Sequence, residues 1–162
     1  MRRFQLFEFT DLPWIPSFLK EGITDFLATI ISKTRTYEPT LPLLQSTLRE
    51  TGKTQVLVLG AGSGGGIIDF LKDLPQSLQI ELSDLYPHRG FVSPSPSIRY
   101  IPEPVDAAAV PAEHSGVRVL YTVFHHLNET QARKVLADAV RSKQPILIFE
   151  GSERSVRGVL VN

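Results

Sequence analysis

Apolar positions before residue 52 recur at helical steps. Ile15, Phe18, Leu19, Ile23, Phe26, Leu27, Ile30 and Ile31 fall three and four residues apart, which places them on one helix face. Asp11 suits the cap of that helix and Pro13 or Pro16 its first turn, where a missing N–H costs nothing. Pro39 and Pro42 break the chain before a second helix over Leu41 to Glu50, and Thr51-Gly52 supplies a stop. After Gly52 the pattern changes to short apolar runs separated by amphipathic stretches. Gln55 to Leu59 is a compact run ending in glycine, as expected for a strand buried on both faces. Ile67 to Leu74 reads as a helix stopped by Pro75, Leu78 to Ser83 as a second strand, and Ile98 to Ile101 as a third. Val117 to Val123 is a fourth strand. Asn128 to Ser142 is an amphipathic helix with Ala132, Val135, Leu136, Ala139 and Val140 on its inner face, and Ile146 to Phe149 follows as a fifth strand. Strands alternating with helices at this spacing predict an α/β, Rossmann-like, doubly wound and mostly parallel sheet. The chain divides into an N-terminal helical extension, 1–51, and a Rossmann-like domain, 52–162. As bare physics, Trp14 and the apolar stripe through Ile31 suit core packing.

Composition narrows the partners. Seventeen Lys plus Arg balance seventeen Asp plus Glu, whereas a nucleic-acid or anionic-membrane binder needs a basic surplus. The absence of Cys excludes disulfide scaffolds, zinc ribbons and thiol nucleophiles. No uncharged apolar run reaches the roughly 18–20 residues of a membrane span. MRRFQLFEFTD turns acidic before a signal core develops, so the expected compartment is the cytoplasm.

Five glycines stand in seven positions from Gly60 to Gly66, directly after the first strand. They would ruin the interior of a helix or strand, so their use must be conformational: a tight turn, close approach to a ligand, and N–H groups exposed at a helix start. Asp84, at the end of the second strand and about 20 residues on, is placed to accept from ribose hydroxyls. Gly60, Gly62 and Gly65 satisfy the dinucleotide pattern G-x-G-x-x-G, and the same layout serves S-adenosylmethionine. A phosphate-binding P-loop is excluded because no Gly-Lys-Ser/Thr follows. A glycine turn without a ligand remains the structural alternative.

The succession VLVLGAGSGGG, IELSDLYP, EPVDAAAVP, YTVFHHLNE and ILIFEGSER resembles that of class I S-adenosylmethionine-dependent methyltransferases, over residues 52 to 153. The segment FEFTDLPWIP is similar to a bacterial subgroup of methyltransferase-like proteins. The resemblance implies S-adenosyl-L-methionine as cofactor, held by the cofactor-binding domain 52–162, residues 1–51 with Trp14 as a cap or lid, and an unidentified small molecule as methyl acceptor. It implies cofactor contacts from Gly60, Ala61, Gly62, Ser63 and Gly64, from Asp84 to the ribose, from Asp106 near the adenine amino group, and from Phe124 beside the transfer face. His125 and His126 are the candidate catalytic residues, since an imidazole titrates near neutrality and can take a proton from the acceptor. As neighbours on a strand end they are expected to point to opposite sides, so that one packs or caps the following helix. His125 and Glu129 share a helix face, but without a third ligand no metal site is expected. Asp106 equally suits the cap of a short helix, and Glu150 a pocket wall, an N-cap or a partner for Arg154.

Two features depart from the family pattern. Val58 stands where the family usually has an acid that orients the cofactor's amino group, so Val58→Asp is expected to tighten binding if the carboxylate reaches the amine. The family sheet has seven strands with a terminal hairpin, and only five are legible here. A C-terminally short sheet would expose an edge along Ile146 to Phe149 and favour self-association. A catalytically silent methyltransferase-like module and a nicotinamide-dependent oxidoreductase are the alternative functions.

Overall fold

The computed structural model describes residues 29–150 apart from 32, 72, 73 and 89. Most of the predicted N-terminal helix, with Asp11 and Trp14, and the segment after Glu150, with Arg154, lie outside the described residues. Residues 29–31 and 33–34 are helical, and Ile31 packs against the core. Helix α1, Leu41–Thr51, follows a single 3-10 turn. Pro42 sits in its first turn rather than before it, where the proline ring suits helical φ, and Gly52 ends it at φ +64°.

Five strands form one parallel sheet in the order β3-β2-β1-β4-β5. They are β1, Gln55–Leu59; β2, Gln79–Ser83; β3, Ile98–Tyr100; β4, Val117–Tyr121; and β5, Ile146–Phe149. Helix α2 spans Gly65–Leu71, starting earlier than predicted because the glycine loop turns directly into it. Helix α3 spans Glu129–Arg141 behind a capping box, in which the Asn128 side chain accepts from Gln131 N and the Gln131 side chain accepts from Asn128 N.

The sheet order reverses between β1 and β4, and in such sheets ligands bind at the carboxyl ends beside that switch point. One face is covered by α1 and α2, whose Leu44, Leu48, Ile67, Phe70 and Leu71 join Val56, Val58, Val117, Val119 and Tyr121 in one apolar cluster. On the other face Leu57, Leu59, Ile101, Val105 and Leu120 form a second cluster, and α3 lies over Arg118 through its Asp138. Helix α3 does not bury the face its pattern predicts. Ala132, Val135 and Ala139 are buried, but Leu136 and Val140 are exposed and Asp138 is buried in their stead. The reason is electrostatic, because Arg118 on β4 draws the Asp138 carboxylate inward and rotates the buried stripe. Among the described residues, β5 pairs with β4 alone and its side chains are half-buried.

Candidate functional site

The loop after β1 is held from three directions. Ala61 N donates to Ser83 O at 2.9 Å, Gly62 N donates to Asp84 Oδ2 at 2.8 Å, and the Tyr100 hydroxyl donates to Gly62 O at 2.8 Å. Gly60, Gly62 and Gly64 have φ of +71°, +55° and +76°, in the left-handed region that a side chain disfavours. At Gly60 a Cβ would also stand 2.8 Å from Val123 Cγ1, so strand β4's exit packs directly on the loop. Gly64 O closes the first turn of α2 by accepting from Ile67 N and Ile68 N at 3.1 Å each. Ala61 is buried and Ser63 half-buried within the same turn.

Asp84 stands at the carboxyl end of β2 as predicted. Its second oxygen accepts from Tyr86 N at 2.9 Å, which fixes the carboxylate's plane while leaving each oxygen a further lone pair. A cleft of about 360 Å³ lined by Pro87, His88, Phe91, Tyr100 and Pro102 opens nearby. Phe91 and Tyr100 pack with ring centroids 5.3 Å apart. Burial pushes the Tyr100 phenol up to about 12, and the Asp84 charge adds to the rise against a hydrogen bond from His88 N. Tyr100 therefore remains a donor to the loop throughout the neutral range. Sequence reasoning missed it. A signal was present in its position, since Tyr100 pairs with Leu82 in register, two residues from Asp84.

Asp106 is exposed and its carboxylate accepts from Ala108 N at 2.8 Å, which is the turn-capping role. Its neighbour Val105 donates its N–H to Asp84 O at 2.9 Å, joining the two strand-end loops. Phe124 is half-buried and packs against the second apolar cluster.

The histidine pair differs from expectation. Strand β4 stops at Tyr121, and Phe124–His126 forms a 3-10 turn, so the two rings lie side by side with centroids 4.2 Å apart instead of on opposite faces. A 3-10 turn advances about 120° per residue rather than the strand's 180°, which explains the change. His125 Nδ1 meets Glu150 Oε2 at 2.5 Å. An ionised carboxylate can only accept, so in this contact Nδ1 is the donor. Glu150 thus lies beside His125 across the ends of β4 and β5.

The turn between β4 and this histidine pair is strained. Thr122 has φ +55°, an outlier for a β-branched residue. Its N–H donates to Phe149 O at 2.8 Å and its hydroxyl shares a hydrogen bond with the Tyr37 hydroxyl. Tyr37 is buried against Phe70 and Tyr121, so a residue before α1 reaches the end of β4.

Val58 is fully buried in the first apolar cluster. Its side chain offers no acceptor, and its carbonyl is taken by the Ser83 hydroxyl at 2.8 Å. Among the described residues no three His, Cys, Asp or Glu side chains gather closely enough to hold a metal ion. Among them, too, no helix is long and apolar enough to cross a membrane.

No protein-family model matches the chain, and no curated protein matches its sequence. Solved structures do. The methyltransferase domain of bacterial CtHen1-CN is similar with a TM-score of 0.51 at 17% identity, over 70% of this chain and 65% of that one. The CurJ carbon methyltransferase gives a TM-score of 0.47 at 19% identity, over 64% of this chain and 30% of that one. An O-methyltransferase family protein from Burkholderia thailandensis gives 0.42 at 16%, over 79% of this chain and 38% of that one. The chain therefore spans less than two thirds of the length of these structures, and its sheet has the class I methyltransferase fold.

Proposed function

We propose that this fold serves S-adenosylmethionine-dependent methyl transfer to a small-molecule acceptor. The observation that carries the reading is the Asp84 carboxylate, oriented by Gly62 N and Tyr86 N beside a glycine loop at the sheet's switch point. The residues present fit the ribose and the loop-facing part of the cofactor. Asp84 retains acceptor capacity, and the loop's positive φ at Gly60, Gly62 and Gly64 is backbone geometry that glycine adopts without strain. They do not fit an acid-bound amino group, because Val58 is sealed in the core. Asp106, exposed on the adjoining loop, and Phe124, on the turn after β4, border the same end of the sheet.

When bound, the cofactor supplies an electrophilic methyl on sulfonium. The chain's own part is positioning, with proximity contributing most of the acceleration. His125 takes a proton from a hydroxyl or ammonium acceptor, and Glu150 holds the ring through Nδ1 and stabilises the imidazolium that forms. His126 lies beside it, the two ring centroids 4.2 Å apart and the planes tilted by 33°.

Calorimetric titration with S-adenosylhomocysteine and NAD side by side tests the reading. S-Adenosylhomocysteine should bind, and Asp84→Ala should weaken it by about 1–3 kcal/mol, roughly five- to 150-fold. Tight NAD binding without any response to S-adenosylhomocysteine would transfer the assignment to an oxidoreductase. Burial of Val58 favours one second reading, a silent module that binds the cofactor weakly. The two separate on product release across a panel of phenols, amines and carboxylates, which His125→Gln should lower only in an enzyme.

A further inference from the structure

Arg118 is the second residue of β4 and only 2% exposed. Its NH1 donates to Asp138 Oδ2 at 2.7 Å and its NH2 to Ser142 Oγ at 3.1 Å. Its Nε–H donates to nothing, and it is the only buried side-chain polar atom without a partner among the described residues. Donors buried in this way are rare, and an unmade hydrogen bond is the usual mark of a missing water or ion.

The arginine lines a cleft of about 420 Å³ between the segment 109–114 and the carboxyl end of α3. Asp138 is the single carboxylate in that lining, and it faces both Arg118 and Arg141. Two guanidinium groups against one carboxylate leave a surplus of one positive charge. Glu81 on β2 is already engaged by Arg99 and by His114 Nδ1, and Glu113, in the 109–114 segment, is exposed and does not line the cleft. The opposite wall is Ala109, Val110, Pro111 and Ala112, a short apolar strip. The volume falls in the range of small-molecule sites, larger than a bare inorganic ion requires.

We infer that this cleft binds a small organic oxyanion, a phosphate monoester or a carboxylate. Its charged head would meet Arg118 and Arg141, and its organic body would lie on the 109–112 strip. The site is separate from the glycine loop. Arg118 lies near the start of β4 and Thr122 follows its end, four residues or roughly 13 Å apart at about 3.3 Å per residue. It is therefore independent of the methyl-donor reading.

The test titrates the whole chain with inorganic phosphate, phenyl phosphate and benzoate by calorimetry at constant ionic strength. Saturable binding of phenyl phosphate or benzoate, at least tenfold tighter than inorganic phosphate, is expected. The tighter of the two identifies the head group. Arg141→Gln, at an exposed position that leaves the Arg118–Asp138 pair intact, should weaken binding about tenfold. Arg118→Lys keeps a cation for Asp138 but lacks the Nε donor, and should weaken it further. Saturation with S-adenosylhomocysteine should leave these affinities unchanged. The inference fails if none of the three probes saturates, or if only inorganic phosphate does. It fails equally if Arg141→Gln binds as tightly as the parent, since the anion would then sit elsewhere and water would satisfy Nε.

Discussion

On one face of the sheet Tyr37, Leu44, Leu48, Val58, Phe70 and Tyr121 pack together without a buried charge. On the other, Glu81, Arg118 and Asp138 are buried beside Leu57, Leu59 and Leu120. The same strands carry both faces, since alternate residues point to opposite sides. The first face is held by area removed from water and by aromatic edge contacts such as Phe70 on Tyr121, with centroids 5.2 Å apart. The second must repay the desolvation of its ions through pairing, so each charge there matters chiefly because its partner would otherwise be stranded. Chemical tolerance should therefore differ sharply between two faces a few ångströms apart.

The largest effects should come from placing one unmatched charge on either face. Val58→Asp inserts a carboxylate among Leu44, Leu48 and Leu82, and Arg118→Met takes from Asp138 its buried cation, leaving only the exposed Arg141. Each should lower stability by about 3–5 kcal/mol in denaturant titrations. For Val58→Asp this reverses the expectation drawn from the family pattern, because full burial leaves the carboxylate nowhere to be solvated. Retained stability together with tighter S-adenosylhomocysteine binding would show that the carboxylate reaches the ligand after all.

A smaller effect should follow from removing both ions at once. Arg118→Met combined with Asp138→Leu is expected to recover most of the loss, leaving the double variant within about 1–2 kcal/mol of the parent. Strict additivity of the two single losses would mean that the pair is not the unit of stability on that face.

The smallest and most diagnostic difference lies in pH. Burial alone would raise the Asp138 carboxyl, but the hydrogen bond and charge of Arg118, with a bond from Val110 N and the charge of Arg141, hold it below the ordinary value. Its contribution is full above the unfolded carboxylate value of about 4 and is lost as pH falls through the folded one. Burial raises Tyr121 to about 12, and Tyr37 in the same direction. The contribution of each is full below the unfolded value of about 10 and is lost as pH rises through its folded value, about 12 for Tyr121. Melting temperatures across pH should show an acid limb from the ionic face and an alkaline limb from the aromatic one. In the Arg118→Met, Asp138→Leu variant the acid limb should flatten while the alkaline limb stays. An unchanged acid limb would assign it to carboxylates elsewhere.

Local features were legible in the chain. The run Gln55–Leu59, the glycines after it, Asp84 at the end of the next strand and the Asn128 cap of α3 all stand where composition and spacing put them. Periodicity misjudged what lies under α3, because a helical stripe ranks Leu136 and Val140 above Asp138 and cannot register an arginine on a distant strand. It also carried β4 two residues too far, and with it the orientation of His125 and His126.

Element order, the parallel sheet and the place of the glycine loop were thus determined by the sequence alone, since each rests on preferences that act over a few residues. Only the tertiary structure decided that Tyr37 would reach Thr122, that Tyr100 would hold Gly62, and that Glu150 would stand against His125. It decided equally that Arg118 would be buried with one donor unspent. The physical reason is separation along the chain. These partners lie 85, 38 and 25 residues apart, and only the strand order β3-β2-β1-β4-β5 brings them within hydrogen-bond range. No short-range preference encodes a meeting of that kind.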